Sequence, residues 1–374
     1  MKIATPHCGF SPETNSGGET YEREIMKNLA KLGVQFEVIL AKGKRYPEGF
    51  PQFHIHRLPI EKGLRWYIAN WIWPHYLRKI EKSSGFDLLR IHSLRYTGPG
   101  VLWFNAHSAR KYPVVCHHHH IDPDLLNPLI EKKVIEKSDL LITGSEFSKR
   151  QLIDTFQTEP EKIRVVPYGI DEAFKRTPSD EHYKKKLGLR NEKVLLFLAG
   201  LKKRKKVFFL IDMFEELLRH YHDPIKLIIA GSGPLKKKLQ EYALLKNLGG
   251  KILFTGFVPE DQKLALYNLC DVFVFPSDME GFGFSPAEAM ACGKPVVCSN
   301  TGSLPEIVQD GRSGYCVDNT ISAFVEKILT LFGNAELRRK FGDAGEMRAR
   351  RIFQWPVAAH GTLKIYEELL RNGK

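Results

Sequence analysis

The sequence has no apolar run approaching the roughly 20 residues that a membrane-spanning helix needs. Its apolar stretches, such as Val194 to Ala199 and Val272 to Phe275, are short. Met1-Lys2-Ile3-Ala4 runs at once into Pro6 and His7, leaving no apolar core for a signal peptide, so export by that route is not expected. The cysteines (Cys8, Cys116, Cys270, Cys292, Cys298, Cys316) form no C-x-x-C pair. Most lie in apolar surroundings where a thiol behaves as a small buried hydrophobe, and a reducing cytoplasm is the simplest setting. The 30 Gly and 21 Pro are spread rather than bunched, which excludes a collagen, a mucin-like stalk and a low-complexity linker. No internal repeat is evident.

What is present is a globular composition. At roughly 150 residues per domain, a chain of 374 residues that is 43% apolar and 26% charged predicts two domains and excludes a disordered tail. Lys and Arg number 56 against 43 Asp and Glu, a formal charge of +13 that attracts nucleic acid, acidic lipid or phosphorylated small molecules. Short β-branched runs alternate with helix-length amphipathic segments, which predicts an α/β fold with parallel sheets. Strands are expected at Lys2 to Pro6, Gln35 to Leu40, Pro113 to Cys116 and Leu140 to Thr143, with a helix from Thr20 to Lys31 closed by Gly33. After the polar stretch Lys175 to Asp180 the pattern restarts, with strands at Val194 to Ala199, Lys226 to Ala230, Lys251 to Thr255, Val272 to Pro276 and Pro295 to Ser299. Two doubly wound units place a cleft at the carboxyl ends of their strands, where the chemistry is expected.

The stretch Ser277-Asp278-Met279-Glu280-Gly281-Phe282-Gly283-Phe284-Ser285-Pro286-Ala287-Glu288 follows a strand and opens a helix. Ser285 reads as the N-cap, Pro286 as the first helical residue and Glu288 as the far half of a capping box. Backbone N–H groups near Phe284 and Ser285 would then face a bound phosphate or sugar oxygen. Glu288 is thus either a cap or a ligand, whereas Glu280 on its Gly-flanked loop has no capping duty.

Glu280 and Glu288, seven residues apart and followed by Ala289-Met290-Ala291-Cys292-Gly293-Lys294-Pro295, resemble the E-x7-E signature of the family 4 retaining glycosyltransferases of the GT-B fold. Phe254-Thr255-Gly256-Phe257-Val258, Asp271 to Ser277, Leu304 to Val308 and Gly311-Arg312-Ser313-Gly314 resemble family blocks in the same order, and Val165 to Asp171 resembles the interdomain segment. The resemblance implies two Rossmann-like doubly wound domains facing a central cleft. Residues 1–176 would form the acceptor-binding domain, 177–356 the donor-binding domain, and a C-terminal helix over 357–374 would pack back on the first.

By the same resemblance Glu288 would hydrogen-bond the ribose of a nucleoside-diphosphate-sugar donor, and Glu280 a hydroxyl of the transferred sugar, in the loop Gly281-Phe282-Gly283-Phe284-Ser285. The run Gly200-Leu201-Lys202-Lys203-Arg204-Lys205 matches the basic diphosphate loop, with Lys205 at the position of its lysine. Leu201 stands where the family has an arginine, so Lys202 or Arg204 would supply the second cation. Gly231-Ser232-Gly233-Pro234 resembles the turn near the base, and Gly17-Gly18 the glycine loop facing the diphosphate. Among His117 to His120, His119 falls where the family places the cleft histidine, with His118 and His120 as register alternatives. This tract with Asp122 and Asp124 contains metal-ligand types, but neighbours on a strand point to opposite faces and cannot converge on one ion. No metal site and no cofactor are expected, the nucleotide sugar being a substrate.

The expected activity is retaining, metal-independent transfer of a hexose-type sugar to a glycan or lipid-linked acceptor by front-face displacement. An epimerase, a phosphorylase or a non-catalytic sugar-nucleotide-binding or lipid-binding protein on the same fold are the alternatives. The aromatic and basic segment 64–79 gathers three of the five tryptophans, which can fill a core or, beside their cations, bind nucleic acid or meet an anionic membrane face; the last would make this a cytoplasmic protein peripheral to the inner face. No nucleic-acid motif accompanies the charge, and no such partner is expected.

Overall fold

The computed structural model describes residues 1–7, 17–59, 69–119 and 128–372. The chain divides into two compact units, one of Met1–Gly169 with Trp355–Lys374 and one of Ile170–Gln354.

The N-terminal unit is built on β1 (Lys2–His7), β2 (Gln35–Ala41), β3 (Phe53–Leu58), β4 (Leu88–Ile91), β5 (Val114–His118), β6 (Leu140–Thr143) and β7 (Ile163–Val165). They form one sheet in the order β3-β2-β1-β4-β5-β6-β7. Every pairing is parallel, with Lys2 opposite Gln35 across β1 and β2 and Ile3 opposite Leu88 across β1 and β4. Strands β4, β5 and β6 are buried at every residue, as expected where both faces of a parallel sheet are covered. The edge strand β3 instead alternates polar residues, and His54 and His56 both lie against Glu37 of β2, at 3.2 and 2.6 Å. The helix Gly17–Lys31 buries Tyr21, Ile25, Met26 and Leu29 on one face, the helical period that earns its place on the sheet. Gly33, at φ +87°, closes it.

The helix Trp355–Asn372 packs on the helix Gly17–Lys31 of this same unit, and its Tyr366 is fully buried. Gly169 permits that return, because a Cβ there would collide with the Trp355 backbone.

The C-terminal unit carries β8 (Lys193–Leu198), β9 (Ile225–Ala230), β10 (Ile252–Gly256), β11 (Val272–Phe275), β12 (Val296–Ser299) and β13 (Gly314–Val317). Their order is β10-β9-β8-β11-β12-β13, again parallel throughout. In each sheet the direction of strand addition reverses once, between β1 and β4 and between β8 and β11. Ligands of open parallel sheets bind beyond the carboxyl ends of the strands at such a reversal.

The aromatic segment divides in a way its composition does not show. Leu64 to Ile68, including Trp66, lie outside the described residues, and a helix runs over Ala69–Ser83 with Pro74 inside it. Trp73 is not a surface residue: it is 1% exposed, in the core with Leu77, Ile80, Val101 and Phe104. Trp71 is 86% exposed. Helical periodicity makes the difference, since residues two apart lie on opposing sides. Trp73→Ala should therefore cost the fold about 3–5 kcal/mol, and Trp71→Ala no more than about 0.5 kcal/mol. Denaturant unfolding of both variants checks this, and equal losses would contradict the placement.

Candidate functional site

In the C-terminal unit the loops after β8 and β11 are joined by their backbones and side chains. Asp278 N–H donates to Arg204 O at 2.8 Å, the Ser277 hydroxyl oxygen lies 3.2 Å from the same carbonyl, and Lys206 pairs with Asp278 at 3.1 Å. The basic run turns as a 3-10 segment over Lys203–Lys205, and Lys206, at φ 50°, starts the helix Val207–His220. This turn sends Lys205 inward and leaves Lys202 exposed.

Three donors meet on one oxygen. Glu280 Oε1 accepts from Lys205 Nζ at 2.5 Å, from Arg204 Nη1 at 2.8 Å and from the Ser277 hydroxyl at 2.5 Å. Among the described residues none donates to Oε2. Glu280 and Lys205 are both buried, and Lys205 Nζ also lies 4.7 Å from the Phe275 ring centroid. Burial pushes the Glu280 carboxyl up, but Lys205 and then Arg204 overcome it and hold the group below the usual carboxylate range. Burial lowers the Lys205 ammonium, against the pull of Glu280. One carboxylate facing two cations leaves this point with a positive excess, suited to an anion.

The loop is held from behind by a segment sequence reasoning missed. Thr301 Oγ1 donates to Ser277 O at 2.8 Å, Ser303 N to Glu280 O at 3.1 Å and Ser303 Oγ to Phe282 O at 2.6 Å. Gly302, at φ +61°, lies so close that a Cβ would stand 2.7 Å from Glu280 N.

The expected capping box does not form. The helix runs over Phe284–Ala291 with Gly283, at φ 105°, as its N-cap, and no side chain caps it. Glycine's access to positive φ starts the helix two residues before Pro286. Glu288 consequently lies in the second turn, where the Tyr267 hydroxyl donates to its Oε2 at 2.6 Å. Burial raises the Glu288 carboxyl, and Lys263 and Tyr267 only partly oppose this. Gly231 and Gly233 have a packing role of their own: Cβ atoms there would strike Ala199 O and Leu201 O, across the line where the loops after β8 and β9 run side by side. Gly200 has no such constraint.

In the N-terminal unit Gly17 and Gly18 open the helix Gly17–Lys31, and His119 stands just past β5 with its ring 3.3 Å from where a Cβ on Gly18 would lie. His117 and His118 are buried, and His120, Asp122 and Asp124 lie outside the described residues. Behind His119 is a buried polar cluster with no sequence signal. Glu22 pairs with Arg90 at 2.5 and 3.0 Å and lies 3.2 Å from His7 Nε2. His7 stacks on His92 at 3.9 Å, and His117 lies between the Tyr21 hydroxyl at 2.9 Å and the Tyr366 hydroxyl at 2.5 Å. Burial lowers His7, and lowers His92 and His117 well below the ordinary imidazole value, keeping them neutral.

Two family models match the chain, "Glycosyltransferase Family 4" over residues 15–174 and "Glycosyl transferases group 1" over residues 179–348. A D-inositol 3-phosphate glycosyltransferase of Corynebacterium jeikeium is 30% identical over 312 residues, 77% of this chain and 74% of the relative. Sucrose-phosphate synthase of Thermosynechococcus elongatus superposes with TM-score 0.82 at 19% identity over 99% of both chains. The Anabaena protein HepE, in complex with UDP-glucose, does so with TM-score 0.79 at 18% identity over 98% of this chain and all of that one.

The three neutral histidines make acid stability predictable. Their folded pKa values lie below the unfolded value of about 6.5, so below that pH the unfolded state binds more protons and stability falls as pH falls. Glu22, which burial alone would raise, is held well below its usual value chiefly by Arg90. Its contribution is present above the unfolded carboxylate value and is lost further down, as pH drops through the folded value. Melting temperature measured from about pH 8 to about pH 5 should decline steadily below about 6.5. A flat profile would show that the histidines are not buried in neutral form.

Proposed function

The chain belongs to the group 1 glycosyltransferases, with the two parallel-sheet α/β units of the GT-B fold, and from that premise we propose that it transfers a hexose-type sugar from a nucleoside diphosphate donor to a hydroxyl of a glycan or lipid-linked acceptor, with retention and without a metal. The observation that carries this reading is the meeting of Lys205, Arg204 and Ser277 on Glu280 Oε1 at the strand-order reversal. The positive excess there suits a diphosphate, and HepE was crystallised with UDP-glucose.

In this reading Lys205 and Arg204 meet the diphosphate, Arg204 supplying the second cation in place of exposed Lys202. Glu280 Oε2 takes a hydroxyl of the transferred sugar, and Glu288 Oε1 the ribose, since a carboxylate accepts more hydrogen bonds than each now receives. Gly281, Phe282, Gly283, Phe284 and Ser285 carry the backbone past the donor, Gly200, Gly231 and Gly233 shape the loops beside it, and Gly17, Gly18 and His119 take the sugar-binding role that the family resemblance implies for them. The bond from the anomeric carbon to the diphosphate oxygen breaks while the acceptor oxygen bonds to the same face. The acceptor's proton passes to the departing oxygen, whose negative charge Lys205 and Arg204 offset.

A membrane-facing role for the aromatic segment is part of the proposal. No helix among the described residues is long and apolar enough to cross a membrane. Exposed Trp71 shares its helix with Arg78, which stacks over half-exposed Trp103 at 5.3 Å, and exposed Lys79, Lys82, Arg110 and Lys111 follow. Apolar rings beside cations suit anionic headgroups.

Calorimetric titration with UDP-glucose, UDP-galactose, UDP-N-acetylglucosamine, ADP-glucose and GDP-mannose, with and without EDTA, should find one donor at about micromolar Kd, insensitive to the chelator. Glu288→Ala should weaken that binding at least about tenfold, and Lys205→Ala should lower turnover by about 10²–10³. Binding only with metal, or wild-type values in both variants, would overturn the reading. Vesicles containing phosphatidylglycerol should retain the protein at low salt and phosphatidylcholine vesicles should not, with Trp71→Ser reducing retention. Equal retention by both would remove the membrane contact.

A further inference from the structure

The Glu22–Arg90 pair is buried to 2% and 0% exposure. Such a pair is poor evidence of stabilisation, because apolar side chains of similar volume often hold a core as well or better. What distinguishes this one is its neighbour. His119 Nε2 stands 3.4 Å from Glu22 Oε1, on the carboxylate that Arg90 grips with two nitrogens. The other ring nitrogen, Nδ1, lies 2.9 Å from the Tyr168 hydroxyl. That hydroxyl is also 3.3 Å from His118 O, and the shorter contact is the better partner for its single proton. Tyr21 meets the imidazole edge-on at 4.9 Å, and Gly18 leaves room for it.

We infer that Glu22, held by Arg90, is the positioning residue of His119: its carboxylate fixes the Nε2–H tautomer and aims that N–H, with Tyr168 donating to Nδ1. The inference rests on the reading in which His119 serves the transferred sugar. At 3.4 Å Nε2 is within ion-pair reach of Glu22 Oε1 but makes no hydrogen bond to it, N–H···O bonds being ordinarily about 2.7–3.2 Å. It therefore keeps the capacity to donate to a sugar oxygen. The groups that face or act on His119 are Glu22 and Tyr21 from the helix Gly17–Lys31, His7 from β1, Arg90 and His92 from β4 and the segment after it, His117 from its own strand, and Tyr168. Arg90 matters because a lone buried carboxylate would take up a proton and lose its acceptor strength.

Two double variants separate positioning from mere packing. Glu22→Leu/Arg90→Met removes both charges and the acceptor, while Glu22→Gln/Arg90→Met removes both charges but keeps an acceptor oxygen. Both should melt near the wild-type temperature. With the donor found by titration, UDP-glucose being the first probe, release of the nucleoside diphosphate should fall at least about tenfold in kcat in the Leu/Met protein. The Gln/Met protein should recover most of that loss, with little change in donor KM in either. Equal kcat in the two, or wild-type kcat in the Leu/Met protein, would overturn the inference. Should either variant fail to fold, the ¹⁵N-histidine spectrum of the wild-type protein at mildly alkaline pH decides. The ring signals lost in His119→Ala should report the Nε2–H tautomer, and an Nδ1–H tautomer or a rapid mixture would overturn it. Wild-type turnover in His119→Ala would instead overturn the underlying role of His119, an outcome distinct from either of these.

Discussion

Both polar constellations depend on the reversal of strand order in each parallel sheet. At a reversal the loops leaving two neighbouring strands turn to opposite faces, and the gap between them is lined by whatever those loops and the helices after them carry. In the C-terminal unit the neighbours are β8 and β11, and their loops bring Lys205 and Arg204 to Ser277 and Glu280, some 75 residues away along the chain. In the N-terminal unit they are β1 and β4, and the helix after β1 brings Glu22 to Arg90 on β4. A basic turn or a glycine-flanked glutamate is only a local feature until the sheet supplies its partner.

The two constellations differ in charge balance, and the difference bears on what each can do. Glu22 faces one arginine, with His7 and His92 beside it kept neutral by burial, so the group is suited to holding a geometry. Glu280 faces two cations, and exposed Lys202 and Lys203 add to the positive field nearby. Under the proposed reading, an entering diphosphate must compete with Glu280 for Lys205. Arg204, Ser277 and the Thr301-Gly302-Ser303 segment hold the carboxylate and its loop in place while that happens, so the exchange need not leave a buried charge unpartnered. Under the proposed reading, the apo ion pair keeps the lysine charged and oriented until the donor arrives.

Much of this architecture was legible in the sequence because apolar runs mark central parallel strands. The α/β class and the family followed from alternation and from ordered motifs. The strands that escaped notice have physical reasons to do so. β3 carries His54, His56 and Arg57 because an edge strand has an open side, β4 carries Arg90 because a buried carboxylate from another element balances it, and β7 and β13 are only Ile163–Val165 and Gly314–Val317. The capping box was misread because Ser285-Pro286 is a strong local start signal, and Gly283 at positive φ pre-empts it. Glu22 could not have been singled out, since a glutamate on an amphipathic helix looks solvated until its partner, 68 residues away, is placed beside it. Trp73 shows the same limit from the other side, since composition leaves its segment equally suited to a surface or a core and only the helical phase sends Trp73 inward and Trp71 outward.

The glutamates of the E-x7-E pair are set at opposite electrostatic poise. Glu280 is surrounded by cations that stabilise its ionised form, so hydrogen bonds added by a ligand compete with strong ones already made. Glu288 is buried beside a tyrosine hydroxyl, with its charge poorly compensated and its carboxyl raised. For such a group any further donor is worth more, because a hydroxyl hydrogen replaces hydration that burial has removed. A ribose diol is a donor of that kind, neutral and able to present two hydroxyls to one carboxylate. The physical asymmetry therefore agrees with a division in which Glu288 gains binding energy from the nucleoside while Glu280, already satisfied at one oxygen, contributes mainly by orienting what touches the other.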